Sequence, residues 1–101
     1  MFFLFTSDLF IKMYGRHGVV YTDGACLNNG FPEACAGFGV WWGEGDPDNF
    51  SSPLAGRQTN NNAEITAAIV AVKQAMDRDL ITLTIYTDSQ FLINCIEYWV
   101  P

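Results

Sequence analysis

Two tetrapeptides, YTDG at 21–24 and YTDS at 86–89, each close a short apolar run, GVV in one case and LTI in the other. Short runs rich in β-branched and aromatic residues and bounded by turn formers read as strands. Asp23 and Asp88 therefore stand at the carboxyl ends of two strands. Between them lies NNAEITAAIVAVKQAMDRD, where the period changes from about two to about 3.6. Ile65, Ile69, Val72 and Met76 fall at i, i+4, i+7 and i+11, which predicts them as the buried stripe of a helix. A strand, a helix and a further strand in this order make the two strands parallel neighbours. Open α/β sheets bind their ligands at the carboxyl ends of such strands.

The remaining pattern fills in a sheet. DGACLNNG reads as a turn, CAGFGVWWG (35–43) as a second strand, and PLAGRQT (53–59), with its early proline, as a third, antiparallel edge strand. Asn61 with Glu64 three residues on predicts a capping box at the helix start. DSQFLINCIEYW starts a second helix, capped by Asp88 or Ser89. The predicted class is α/β: a mixed sheet with strands 1-2-3 antiparallel, strand 4 parallel to strand 1, and helices packed on it. Residues 1–17 form a poorly defined amino-terminal extension, a piece of strand or helix outside the core.

At 101 residues the chain makes one domain with a modest core. Its net charge is −6 with only five Lys plus Arg, so it lacks the basic field usual in a nucleic-acid binder. Cys26, Cys35 and Cys95 show no C-x-x-C pair, which argues against a zinc knuckle or a disulfide framework and for a reducing, intracellular compartment. The opening MFFLFTSDLF lacks the basic start of a signal peptide and is interrupted by Asp8, and no apolar run is long enough to span a bilayer.

With the two strands side by side, Asp23 and Asp88 come together, and the joining helix begins close by with Glu64. Singly, each has an ordinary reading: Asp23 before Gly24 as a turn residue, Asp88 as a helix cap, Glu64 as a partner of the helix dipole. Convergence changes the balance. Three adjacent carboxylates repel unless a cation neutralises them, and an all-oxygen set without His or Cys selects Mg²⁺ first and Mn²⁺ second. Two such ions about 4 Å apart are the known arrangement for in-line attack on a phosphodiester. No Ser–His–Asp arrangement is visible, and the sole histidine, His17, lies in the extension.

The segments VVYTDGACLNNG, AGFGVWWGEGDPDN, LAGRQTNNNAEITAAIVAVKQA and IYTDSQFLINCIEYWV, in this order and spacing, resemble cellular ribonuclease H of the type 1 class, from about Val19 to Pro101. The resemblance implies a ribonuclease H-like sheet over residues 18–101 and endonucleolytic hydrolysis of the RNA strand of RNA–DNA hybrids by two metal ions. It further implies that Asp23, Glu64 and Asp88 are three of the family's four metal-binding carboxylates, loaded with Mg²⁺ or its substitute Mn²⁺. Asn29 and Asn60 contact the sugar–phosphate edge of the hybrid, and Glu64 also meets an RNA 2′-hydroxyl. Arg57 and Thr59 belong to a pocket for a DNA phosphate, Gln90 reaches a base edge in the minor groove, and Trp99 packs along the DNA backbone. Each also has a plainer reading, as loop formers for the asparagines, a solvated charge for Arg57 and core for Trp99.

Relative to the family, the chain is expected to be carboxy-terminally truncated: the basic helix, the fifth strand, the histidine segment and the last helix with its fourth aspartate are absent. This predicts an open edge on the fourth strand, inviting a partner chain or self-association, and weak or no catalysis by this chain alone. The alternative reading is a non-catalytic nucleic-acid-binding or assembly module with an incomplete metal site. A weaker third is an unrelated phosphotransfer fold, since a fold does not set its chemistry.

Overall fold

The structure, a computed structural model, describes residues 2–6 and 16–99, and the side chains of residues 16–94. The two YTD runs do lie on parallel neighbours. The first is β2 (His17–Leu27) and the second is β5 (Thr82–Tyr86), paired in register from His17 opposite Thr82 to Tyr21 opposite Tyr86. β2 pairs on its other side with β3 (Cys35–Trp41), and β3 with β4 (Phe50–Pro53), both antiparallel. α1 (Asn60–Asp77) and α2 (Gln90–Trp99) complete this part.

A fifth strand comes from the segment read as an extension. β1 (Phe2–Thr6) runs parallel to β5, Phe2 opposite Thr82 and Thr6 opposite Tyr86, giving the order β1-β5-β2-β3-β4. The β5 edge that the sequence pattern leaves open is thus occupied by this chain's own amino-terminal residues. His17 likewise belongs to the sheet rather than to the lead-in: it opens β2, and its ring bonds the Thr82 and Thr84 hydroxyls at 2.5 and 3.1 Å. Residues 7–15, also part of the predicted extension, lie outside the described residues.

Three local predictions shift. β2 does not turn after Asp23 but continues to Leu27, because Gly24 to Leu27 pair with Phe38 to Cys35 of β3; the turn comes at Asn28 and Gly30, both with positive φ. The edge strand is Phe50–Pro53 and not 53–59: proline brings no N–H to a ladder, and the chain bends away through Gly56 at φ +85°. α1 is capped by Thr59, whose hydroxyl accepts from the Asn62 N–H, so Glu64 lies beyond the first turn and outside any capping box.

The buried stripe of α1 also differs from the predicted one. Ile69 and Met76 are 48% and 60% exposed, whereas Ala63, Ala67, Ala71 and Ala75, spaced at i+4, are fully buried. The large side chains mislead here because the helix needs small ones: alanines let its backbone approach the sheet. They pack on Val20, Val40, Leu83 and Ile85, with a second cluster of Ala36, Leu54 and Ala63 nearer the helix start. The approach is tightest at Gly24, where a Cβ would stand 2.6 Å from the Ala63 carbonyl carbon and 2.7 Å from the Glu64 nitrogen.

At the far end of α1, Arg78 stacks over Trp42 at 4.2 Å and pairs with Asp46 and Asp48 of the loop between β3 and β4. Gln74 accepts from the Trp42 indole N–H at 2.6 Å and donates to the Asp48 carbonyl at 2.8 Å. The Asp48 N–H, and then Arg78, hold the Asp46 carboxyl below its ordinary range. Trp41, on the opposite pleat, stays about half exposed beside Tyr21.

Gly24→Ala is expected to push α1 off β2, with a cost of about 2 kcal/mol or more from overpacking against backbone that cannot yield. A lowered urea midpoint at unchanged slope is the expected result; an unchanged midpoint contradicts the close approach.

Candidate metal centre

Pairing between β2 and β5 ends at Tyr21 opposite Tyr86, whose rings stack at 4.9 Å with an interplanar angle of 17°. Beyond that pair the strands part. β2 carries on beside β3, while the segment leaving β5 turns at Asp88 into α2, which is capped by Ser89 through the Leu92 N–H. The Thr87 hydroxyl accepts from the Ser89 N–H at 3.1 Å, fixing the turn that presents Asp88. Glu64 is delivered to the same split by the close approach of α1 at Gly24.

The three carboxylates meet there. Asp23, Glu64 and Asp88 each offer one oxygen, and these atoms all lie within 4.8 Å of one another. Asp23 and Asp88 are exposed, while Glu64 is buried at 8% exposure. Burial pushes the Glu64 carboxyl up from 4.5 to about 7, and the negative charges of Asp23 and Asp88 push the same way. A hydrogen bond from the Gly24 backbone N–H opposes the rise. Its Oε2 is buried with no hydrogen-bond partner among the described residues. Such a set suits a hard divalent cation: all donors are oxygen, the geometry is close, and a cation removes the repulsion that raises Glu64.

Of the residues assigned to nucleic acid, four share one groove. Asn29, Arg57, Thr59 and Asn60 line a volume of about 640 Å³ together with Gly30, Asn61, Asn62 and Ile65. The Asn29 carboxamide accepts from the Asn60 N–H at 3.0 Å, so the loop after β2 is tied to the start of α1. Thr59 is occupied as the helix cap, and the Arg57 carbonyl accepts from the Asn62 side chain at 2.8 Å. Arg57 itself is exposed, and among the described residues the only ion pairs are those of Arg78. Gln90 lies apart from this groove at the start of α2, its side chain donating to Asn94. Trp99 ends α2, and its side chain lies outside the described residues.

The sequence pattern gave no part in the site to Thr22 or Asn62 and read Gly24 only as a turn residue and Asn61 only as a helix cap. Thr22 lines a cleft with Asp23 and Asp88, Gly24 lies against Ala63 and Glu64, and Asn61 and Asn62 line the groove.

The RNase H family model matches residues 16–101. The chain belongs to the RNase H family. It is 50% identical over 97 residues to Ribonuclease H1 of Rattus norvegicus, covering 96% of this chain and 34% of that protein. Against Ribonuclease H1 of Homo sapiens the identity is 52% over 95 residues, 94% of this chain and 33% of that protein. Ribonuclease H of Schizosaccharomyces pombe is 46% identical over 84 residues. The chain thus spans about a third of the length of the curated relatives it matches. Among solved structures, that of the foamy viral protease-reverse transcriptase in complex with dsDNA superposes with a TM-score of 0.64 at 27% identity, over 83% of this chain and 55% of that one. RNase H proteins depend on divalent metals, and this chain carries the matching acidic cluster.

The elevated Glu64 sets a pH dependence for this RNase H chain in metal-free buffer. The folded state holds an extra proton between pH 4.5 and about 7, so stability is full below that window and falls as pH rises through it, by on the order of 2–3 kcal/mol. Glu64→Gln is expected to flatten the profile and to be the more stable protein above pH 7. Urea midpoints measured from pH 4 to 8 in a chelator check this; parallel profiles for the two proteins contradict it.

Proposed function

We propose that this chain acts on RNA–DNA hybrids as an endoribonuclease, hydrolysing the RNA strand with Mg²⁺, or Mn²⁺ in its place, in a reducing intracellular compartment. The observation that carries the reading is the convergence of Asp23, Glu64 and Asp88 within 4.8 Å, in a chain half identical to proteins named Ribonuclease H1.

Asp23, Glu64 and Asp88 would hold the cations. Bound there, a pair of divalent ions supplies an activated water and neutralises charge developing at the scissile phosphate. The protein's own share is orientation. The groove of Asn29, Arg57, Thr59 and Asn60 adjoins the start of α1, where the positive end of the helix dipole favours a phosphate. Arg57 adds a cation with no carboxylate partner among the described residues, and the asparagines offer amide groups to sugar oxygens. The groove and Glu64 both belong to the first turns of α1, so a backbone seated in the groove would run close to the carboxylates. Glu64 would also meet an RNA 2′-hydroxyl. Gln90 and Trp99, on α2, would extend the contact along the duplex.

The net charge of −6 gives no long-range attraction for a polyanion, so binding relies on these local groups and on the bound cations. An acidic chain making few phosphate contacts binds a hybrid weakly.

An end-labelled RNA–DNA hybrid incubated with the chain is expected to be cut in its RNA strand only when Mg²⁺ or Mn²⁺ is present. Asp23→Asn is expected to lower the rate on the order of 10²–10³-fold, the scale of losing one preorganised electrostatic contact. Binding of the hybrid without cutting would instead assign the chain to a non-catalytic module. Equal cutting of duplex DNA would point to an unrelated phosphotransfer activity.

A further inference from the structure

Among the described residues, two buried side-chain polar atoms lack a hydrogen-bond partner: Thr22 Oγ1 and Glu64 Oε2. They are complementary. A hydroxyl brings a donor that has no acceptor, and an ionised carboxylate is an acceptor that has no donor.

Their location is shared as well. Side chains alternate along β2, so Thr22 lies on the same face as Val20, which packs on Ala67 and Ala71, and Gly24, which touches Ala63 and Glu64. Thr22 is 5% exposed and Glu64 8%, and both belong to the layer between β2 and the start of α1. Thr22 also lines the cleft of about 240 Å³ that contains Asp23 and Asp88. The other buried threonines of this sheet differ. Thr87, at the matching position of the second YTD run, accepts from Ser89, and Thr82 and Thr84 bond His17. A partnerless buried hydroxyl works against folding, and valine fits the same space without it.

We propose that Thr22 is a positioning residue for Glu64: its hydroxyl donates to Glu64 Oε2 once a divalent cation holds the ionised carboxylate through its other oxygen. The inference rests on the metal-binding reading above. Carboxylates that ligate metals are in turn oriented by hydrogen bonds, and removing such a partner costs about 10–100-fold in metal affinity. The donor fixes which carboxylate oxygen faces the cation and steadies the buried one. In the metal-free protein the hydroxyl has no such task.

The experiment is Mn²⁺ titration by calorimetry on the full chain, with thermal unfolding in chelator alongside, for the native protein, Thr22→Val, Thr22→Ser and Asp23→Asn. Thr22→Val is expected to melt in chelator at or above the native temperature yet to bind Mn²⁺ about 10-fold or more weakly. Thr22→Ser keeps the hydroxyl and is expected to bind within about 3-fold of native while melting lower, through loss of a buried methyl. Native affinity in Thr22→Val overturns the inference, as does an equal loss in the serine variant, which assigns Thr22 to packing. Should valine prevent folding, the affinity of the serine variant decides. If the native chain takes up no Mn²⁺ beyond what Asp23→Asn does, the metal-binding reading itself fails and takes this inference with it.

Discussion

The closeness of α1 to β2 is the constraint on which the site depends. Gly24 carries no side chain and Ala63 almost none, and their contact sets the helix start directly on the strand that carries Asp23. Glu64 follows Ala63 by one residue, so its carboxylate is brought to the acidic group by backbone packing rather than by a long side chain reaching across a gap. The alanine row at 63, 67, 71 and 75 extends this contact along the helix. Each alanine buries little area, but together they trade side-chain volume for positional accuracy, which a site with oxygen donors a few ångström apart requires.

That accuracy sets packing and electrostatics against each other. The same approach that gathers the carboxylates also removes Glu64 from water, and without a cation the fold holds it as a proton carrier near neutrality. Functional sites commonly combine burial with like charge in this way. A cation reverses the sign of the interaction, so occupancy of the site and stability of the domain are linked. The buried, unpartnered atoms at Thr22 and Glu64 belong to the same compromise.

Much of this was legible from residues alone. The repeated YTD run gave the parallel pair and its two aspartates, and the change of period gave α1 with Glu64 on it. The alanine stripe was not legible, because hydrophobic periodicity weights Ile65, Ile69, Val72 and Met76 above the small residues that touch the sheet. The strand at Phe50–Pro53 was obscured by its two serines, and the continuation of β2 through Gly24 to Leu27 by turn-forming composition that pairing with β3 overrides. β1 was illegible for a different reason: its partner is 80 residues away in register, and no local pattern specifies which edge an apolar pentapeptide joins.

Arg78 gives the far end of α1 a significance that its distance from the carboxylates conceals. An 18-residue helix is a rod of about 27 Å, anchored at its tail by Trp42, Asp46 and Asp48 and at its head by Thr59 and Asn29. A rod held at both tips cannot slide along its own axis. The loop at 43–49, remote from any chemistry, therefore acts as the backstop against which Glu64 keeps its depth.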